Sequence, residues 1–390
     1  MSPHPLLGPI AAVAGGLPVY WWLAPRHRGW ALAGIGLAAL GPMAPGATLG
    51  VAAATLALWV WLGDAPTRAA AWAAGAALVA TLAAWKIGVE WAPGVAGVAA
   101  PLGLSFVVFR LIDWVIQRRR GALAAQPLGE LLGWILMPWT FSAGPIETIG
   151  HHQRQRSDAW GRDHLVAGGA RIAVGLVKKL VLADAVIAQI RREAAGDPGA
   201  IALSLFERDL STGHAWLFAS LSFLHLYVDF SAYSDLAIGT GRLFGLRITE
   251  NFRWPLLASS PPDFWRRWHI SLAEWCRAHV YLPALGLTRS PTLAVGATFL
   301  VMGLWHAPAL PWVMWGLWHA AFLAGAVRWR RSRRGRPPLP RWAGLVAVPL
   351  TLAYATMGHA LAALHGAAGP WAGLGLLLRM VGLYLPWPPS

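Results

Sequence analysis

The sequence predicts an all-α, polytopic membrane protein, and three observations carry that prediction. Hydrophobic residues fill 56% of the 390 positions and charged residues only 13%, about half the charge fraction of a soluble domain. Mean hydropathy is +0.49. The apolar residues come in long runs separated by arginine clusters, the layout of helices that cross a bilayer between basic loops. Together these exclude a disordered chain, a disulfide-built secreted scaffold and an ordinary cytosolic enzyme. The net charge of +15, from 32 Lys+Arg against 17 Asp+Glu, fits basic loops against anionic headgroups better than a nucleic-acid partner. Membrane lipid is the expected surrounding. A single cysteine, Cys276, leaves neither an internal disulfide nor a Cys-based metal site.

Apolar segments run at about 5–24, 29–44, 48–63, 69–86, 98–117, 214–230, 232–246, 291–307, 310–327, 342–363 and 368–385, which gives about 11 transmembrane helices, some short enough to need a tilt. The first has no basic region before it and is read as a span rather than a cleaved leader. Placing Arg26/Arg28, Arg118–Arg120, Arg154/Arg156, Arg191/Arg192 and Arg328–Arg341 in the cytoplasm puts the N-terminus outside and the C-terminus inside. Leu131–Ile149 breaks this count: it is apolar, yet basic residues flank both ends, and it contains Pro138 and Ala143-Gly144-Pro145. It is expected to be re-entrant, with its bent backbone enclosed by protein; a Pro-kinked span beside one misplaced basic cluster is the alternative. A helix over His164–Ile190 carries Arg171, Lys178, Lys179 and Asp184, so it lies on the surface or packs those groups inward.

Between Ile248 and Pro291 the chain leaves the spanning pattern. Asp263 is expected to cap a helix. Over Trp265–Arg277, at about 100° per residue, Trp265, Trp268, His269, Leu272, Trp275 and Cys276 share one face, with Arg266, Arg267, Glu274 and Arg277 opposite. A cytoplasmic amphipathic anchor accounts for every one of these residues except His269.

Polar groups within apolar segments are the first functional candidates. His306 ends one apolar helix, Pro308 and Pro311 mark a turn, and His319 sits on the returning helix. A lone histidine on an apolar helix is usually a satisfied core residue. Two on adjoining helices, with His269 as a third, point to a shared polar pocket where neutral imidazole serves as a base. No metal is expected, since no helical His-x-x-x-His pair or adjacent acidic ligand is present. Asp229, Tyr233, Ser234 and Asp235 lie within another apolar stretch, with Arg242 as the expected partner of Asp235. They line a substrate passage or form a buried network that fixes helix packing. Neither a Gly-x-Ser-x-Gly elbow nor a phosphate-binding Gly-Lys-Ser/Thr loop occurs.

Several stretches follow one another along the chain: Pro101-Leu102-Gly103-Leu104-Ser105-Phe106, Ala143-Gly144-Pro145-Ile146 and Gly175-Leu176-Val177-Lys178-Lys179, then Asp229 through Asp235, Glu250-Asn251-Phe252 and Phe264 through Ser271. Gly303-Leu304-Trp305-His306 and Trp315-Gly316-Leu317-Trp318-His319 complete the series. In this order they resemble the membrane-bound O-acyltransferase family. The likeness runs over about residues 100 to 325, to the bacterial branch that includes the alginate O-acetylation membrane subunit and the D-alanyl transferase of teichoic acids. It implies a many-helix fold around a central funnel and transfer of an acyl group from a thioester to a hydroxyl. Domains follow: N-terminal transmembrane helices over 1–97, a catalytic core over 98–328 and C-terminal transmembrane helices over 329–390.

The resemblance makes His306 the essential histidine and general base, and His269 the second polar position, there to polarise the thioester carbonyl. Asp229, Tyr233, Ser234, Asp235, Trp305, His319, Arg266 and Arg267 become candidate substrate contacts. No bound cofactor is implied; acetyl-CoA or an acyl carrier protein is the co-substrate, with an extracytoplasmic acetyltransferase or polysaccharide machinery as partner. The chain departs from the family at Ala284-Leu285-Gly286-Leu287, where a Gly-Gly-x-Arg loop is usual, at Ala307-Pro308 after His306, and near Met357–Leu361, where a Phe-Arg motif is absent. A non-enzymatic export or assembly protein, or a transferase acting on lipid or protein, are the rival readings.

Overall fold

The computed structural model describes residues 7–64, 66–91, 103–335 and 342–384. Pro101-Leu102, the outer ends of the first, fifth and last expected spans, and Arg336 and Arg341 of the last basic cluster lie outside them. Among the described residues all helices and no extended sheet are found, and the chain divides into two units, 1–175 with 233–250 and 176–232 with 251–390. Helices Pro45–Leu62, Arg68–Trp91, Thr212–Leu243, Leu310–Ser332 and Trp342–Ala363 are long and apolar enough to cross a membrane. The protein is a multi-pass membrane protein.

The first unit contains α1 (Leu7–Trp22), α2 (Arg28–Leu40), α3 (Pro45–Leu62), α4 (Arg68–Trp91), α5 (Leu104–Arg119), α6 (Leu128–Ile135), α7 (Pro138–Phe141), α8 (Ile149–Arg154) and α9 (Arg162–Leu176). α3 and α4 expose Val60, Trp61 and Trp72, as helices facing hydrocarbon do. α2 and α6 touch backbone to backbone: a Cβ on Gly133 would lie 2.3 Å from the Gly29 carbonyl oxygen, so only glycine allows this small-residue contact.

The expected re-entrant segment is broken into α6 and α7, neither long enough to span, and its backbone is enclosed. Leu131, Trp134, Ile135, Leu136 and Met137 have no exposed surface. The last carbonyls of a helix lack intrahelical partners. Here the fully buried Arg110 of α5 donates to the carbonyls of Trp134 (2.9 Å) and Ile135 (3.1 Å). One guanidinium thus closes the helix end that the break opens.

The second unit continues through π-helical Val177–Ile187, α10 (Ala188–Ile190), π-helical Arg191–Ala195, α11 (Pro198–Glu207) and the start of α12 (Thr212–Leu243). It then runs through α13 (Pro261–Trp265), α14 (Ile270–Cys276), α15 (Leu282–Thr288), α16 (Pro291–His306), α17 (Leu310–Ser332), α18 (Trp342–Ala363) and α19 (Ala372–Met380).

Four expectations change. Segments 214–230 and 232–246 do not form two spans; they are one 32-residue helix, α12, about 48 Å long, because the polar run at its middle finds side-chain partners without a turn. Asp235 pairs with Arg171 at 2.6 Å, not with Arg242, and Arg171 also reaches Glu250 at 2.7 Å. The helix expected over His164–Ile190 changes from α9 to wider π turns at Val177; it packs Arg171 and Lys179 onto carboxylates and turns Leu165, Val174, Leu180 and Val181 outward. Arg28 and Arg118, counted with the surface clusters, are buried donors to backbone carbonyls: Arg28 to Asp158 at 3.0 Å, Arg118 to Asp64 at 2.8 Å.

Replacing Arg110 by Leu leaves two buried carbonyls without donors. It is expected to lower the unfolding free energy by about 3 kcal/mol, read as a fall in the unfolding midpoint in detergent.

Candidate functional site

All the geometry of the site belongs to the second unit. α16 and α17 form a hairpin whose backbones meet. A Cβ on Gly303 would lie 2.2 Å from the Trp312 carbonyl oxygen, and one on Gly316 would lie 2.5 Å from that of Phe299. Glycine at both positions draws the helices together and fixes the aromatic residues around the turn. His306, the last residue of α16, stacks on Trp312 with ring centroids 4.2 Å apart and planes 15° apart. Trp305 and Trp315 stand 4.5 and 5.5 Å from the same imidazole.

His269 reaches this place by a different route. The continuous helix expected over Trp265–Arg277 is broken: α13 ends at Trp265, α14 starts at Ile270, and His269 between them has φ 44°. A left-handed conformation is unfavourable for a residue with a Cβ and needs compensating contacts. They come from Asn251, whose backbone oxygen accepts the Ile270 amide at 3.0 Å and whose side chain lies 3.1 Å from His269 Nδ1. The break leaves the expected apolar face intact: Trp265, Trp268, His269, Leu272, Trp275 and Cys276 are buried, and Arg266, Glu274 and Arg277 are exposed. The helix start also shifts. Ser260 is the cap, accepting from the Asp263 amide at 3.3 Å, while Asp263 accepts from the amide of Ser259, the residue before the cap, at 3.1 Å.

The Asn251 contact sets the tautomer of His269. The backbone amide of Ser271 donates to Asn251 Oδ1 at 3.3 Å, and Ser271 Oγ lies 2.9 Å from it. A main-chain N–H is always a donor, so the atom is the amide oxygen. His269 Nδ1, facing that acceptor, carries the proton, and Nε2 holds the lone pair. Burial lowers the His269 pKa to about 3, so the ring is neutral at physiological pH. A neutral imidazole with its proton on Nδ1 has none on Nε2 to give a carbonyl oxygen. This geometry does not suit the carbonyl-polarising role expected of His269.

His269 and His306 line one cavity of about 350 Å³, with His319 and His359. Its wall is otherwise aromatic and aliphatic, including Phe223, Phe230, Trp265, Trp268, Trp312 and Trp315. His319 Nδ1 bonds the hydroxyl of Tyr354, which also accepts from Trp265 Nε1 at 3.2 Å. The indole nitrogen of Trp312 is buried and has no hydrogen-bond partner in the protein. Cys276 is buried and its thiol is pushed up to about 12 by desolvation, which keeps it protonated and a poor nucleophile. Among the described residues no three His, Cys, Asp or Glu side chains gather where a metal ion could be held.

A polar recess of about 650 Å³ is lined by Arg253, Arg266, Arg267, Arg277, Asp263 and Glu274 among others. Arg266 and Arg267 each reach Asp263 at 3.1 Å. Burial raises the Asp263 pKa, but the Ser259 amide and the two guanidiniums outweigh it and hold the carboxyl below its usual value. Trp265 lines both the recess and the histidine cavity.

The remaining candidates make other contacts. Lys179 bridges Asp229 at 2.6 Å and Asp184 at 3.0 Å. In the first unit, Tyr233 bonds Ser142 Oγ at 2.7 Å and the Trp139 carbonyl at 3.0 Å, and Ser234 is buried near the paired Asp235. The sequence reading missed Asn251 as a positioning group, His359 and Trp312 as wall, and Tyr354 as the partner of His319. His359 carries the signal that selected His306 and His319, a histidine in an apolar span. Asn251 stands in the sequence only within the Glu250-Asn251-Phe252 stretch, which does not show its contact with a residue 18 positions away.

The model of the membrane-bound O-acyltransferase family matches residues 107–361, more than half of the chain. The chain is 34% identical over 260 residues to the probable alginate O-acetylase AlgI of Pseudomonas fluorescens, covering 63% of this chain and 49% of that protein. It is 26% identical over 275 residues to the teichoic acid D-alanyltransferase of Bacillus subtilis, covering 66% of this chain and 67% of that one. It is 38% identical over 184 residues to the peptidoglycan O-acetyltransferase of Helicobacter pylori, covering 44% and 32%. The chain spans about half the length of the alginate O-acetylases it matches.

His269 is neutral when folded down to about pH 3 and near 6.5 when unfolded. Between those values the unfolded chain binds the extra proton, so this group's contribution makes the fold less stable as pH falls from about 6.5 toward 3 and leaves it level above. Nitrogen-15 spectra of labelled imidazole are expected to show one histidine held as the Nδ1–H tautomer from pH 8 to pH 5. Gly358→Ala would place a Cβ 2.8 Å from His319 Nε2; it is expected to displace that ring and change its resonance while the protein stays folded.

Proposed function

Because the chain belongs to the membrane-bound O-acyltransferase family, we propose that it moves an acyl group, acetyl foremost, from a thioester donor to a hydroxyl of an extracytoplasmic polysaccharide or of a partner acetyltransferase. The observation that carries this reading is the convergence of His269 and His306, from separate segments, on one aromatic cavity. The names of the alginate and peptidoglycan O-acetyltransferase relatives support acetyl as the group and a polysaccharide as the acceptor.

The acceptor oxygen attacks the thioester carbonyl while His306 takes its proton. Collapse of the tetrahedral intermediate breaks the C–S bond, and the sulfur leaves with the proton held by His306, giving an ester and a free thiol. No enzyme nucleophile is required. His269, with its lone pair on Nε2, positions the donor by accepting from an N–H of its arm. The N–H of Trp312, stacked on His306, suits a donor to the carbonyl oxygen as charge develops there. The aromatic wall limits hydrolysis by excluding water. Phosphate groups of acetyl-CoA or of an acyl carrier protein's prosthetic arm fit the recess lined by Arg253, Arg266 and Arg267. On this reading the recess faces the cytoplasm, and the C-terminus is proposed to lie on the same side of the inner membrane.

Replacing His306 by Ala is expected to reduce acyl transfer by about 10²–10⁴-fold in membranes holding the protein at normal abundance, measured with labelled acyl donor. Unchanged transfer would remove His306 as the base and move the reading toward an export or assembly protein.

A further inference from the structure

A second apolar cavity of about 350 Å³ opens along the α16–α17 pair, away from the His306 turn. Its floor is Val295, Thr298, Phe299 and Met302 of α16 with Leu323 and Val327 of α17. These positions cover about two turns of α16, roughly 10 Å, and about one turn of α17. The one hydroxyl on the floor, Thr298, is spent on the Ala294 carbonyl at 2.7 Å. Arg266, Arg277, Arg330 and Tyr281 stand among the lining residues, and no acidic side chain does. Arg266 is paired with Asp263; Arg277 and Arg330 are exposed, and no acidic side chain among the described residues pairs with either. Arg330 lies in the last turn of a helix long and apolar enough to cross a membrane, so it belongs at headgroup depth with the floor running inward beneath it.

We propose that this groove holds one anionic phospholipid, its phosphate on Arg277 and Arg330 and an acyl chain along α16 and α17. The site combines an apolar trough with guanidiniums that no acidic side chain among the described residues pairs with. A neutral lipid leaves that charge unanswered, and a free anion leaves the trough empty. Basic pockets between membrane helices take anionic headgroups for this reason. Trp265 and Phe299 are among the trough's lining, so the bound chain touches Trp265, which also lines the histidine cavity. The groove shares Trp265, Arg266 and Arg277 with the polar recess, but its test reads lipid binding alone.

The full chain in detergent is mixed with phosphatidylglycerol, or with phosphatidylcholine of the same chains, and retained lipid is counted by native mass spectrometry. One phosphatidylglycerol per chain is expected to persist, at about tenfold greater occupancy than phosphatidylcholine. Arg330→Gln, at an exposed position, and Val327→Trp, which fills the trough without touching charge, are each expected to cut that occupancy about tenfold. Equal retention of the two lipids, or retention unchanged in either variant, overturns the proposal. So does displacement of phosphatidylglycerol by acetyl-CoA, which would make the groove part of the donor site.

Discussion

The site depends on one acceptor atom. Asn251 Oδ1 lies within hydrogen-bond distance of His269 Nδ1, the Ser271 amide and Ser271 Oγ, and these contacts hold the chain in a left-handed turn it would not otherwise keep. The turn divides what would be one amphipathic helix into α13 and α14 and settles the protonation of the imidazole. A buried histidine without such a partner could be either tautomer. Here the lone pair is committed to Nε2, and desolvation keeps the ring uncharged.

The same logic recurs wherever the helices break. In a bilayer, irregular backbone survives only when protein satisfies its polar groups. Arg110 does this for α6, and Arg28 and Arg118 do it for loop carbonyls. Arginines that look like surface charge in the sequence are therefore partly internal. Glycine supplies the other half of the construction. Where α16 and α17 touch through Gly303 and Gly316, van der Waals contact replaces the hydrophobic drive that lipid cannot supply. That contact seats His306 on Trp312.

Trp265 ties the polar recess to the histidine cavity. Its ring lies edge-on to Phe299, Trp315 and His319, at centroid distances of 4.9, 5.8 and 5.1 Å, and its N–H is held by Tyr354. Such offset aromatic packing is directional as well as apolar. It gives the cavity a defined wall, whereas an aliphatic lining would permit several arrangements.

The sequence by itself determined the helical class, the membrane setting, the buried face of Trp265–Cys276 and the choice of His306, His319 and His269. Each is a matter of local pattern, either apolar run length or a costly polar group in an apolar context. It also pointed to a broken segment at Leu131–Ile149, from proline and glycine within apolar sequence. Tertiary structure alone decided that 214–246 is largely one helix, that Asp235 belongs to Arg171, and that Ser260 rather than Asp263 caps α13. It alone decided which nitrogen of His269 bears the proton. Those outcomes depend on partners many residues away, and periodicity carries no information about which distant group will occupy the other end of a hydrogen bond.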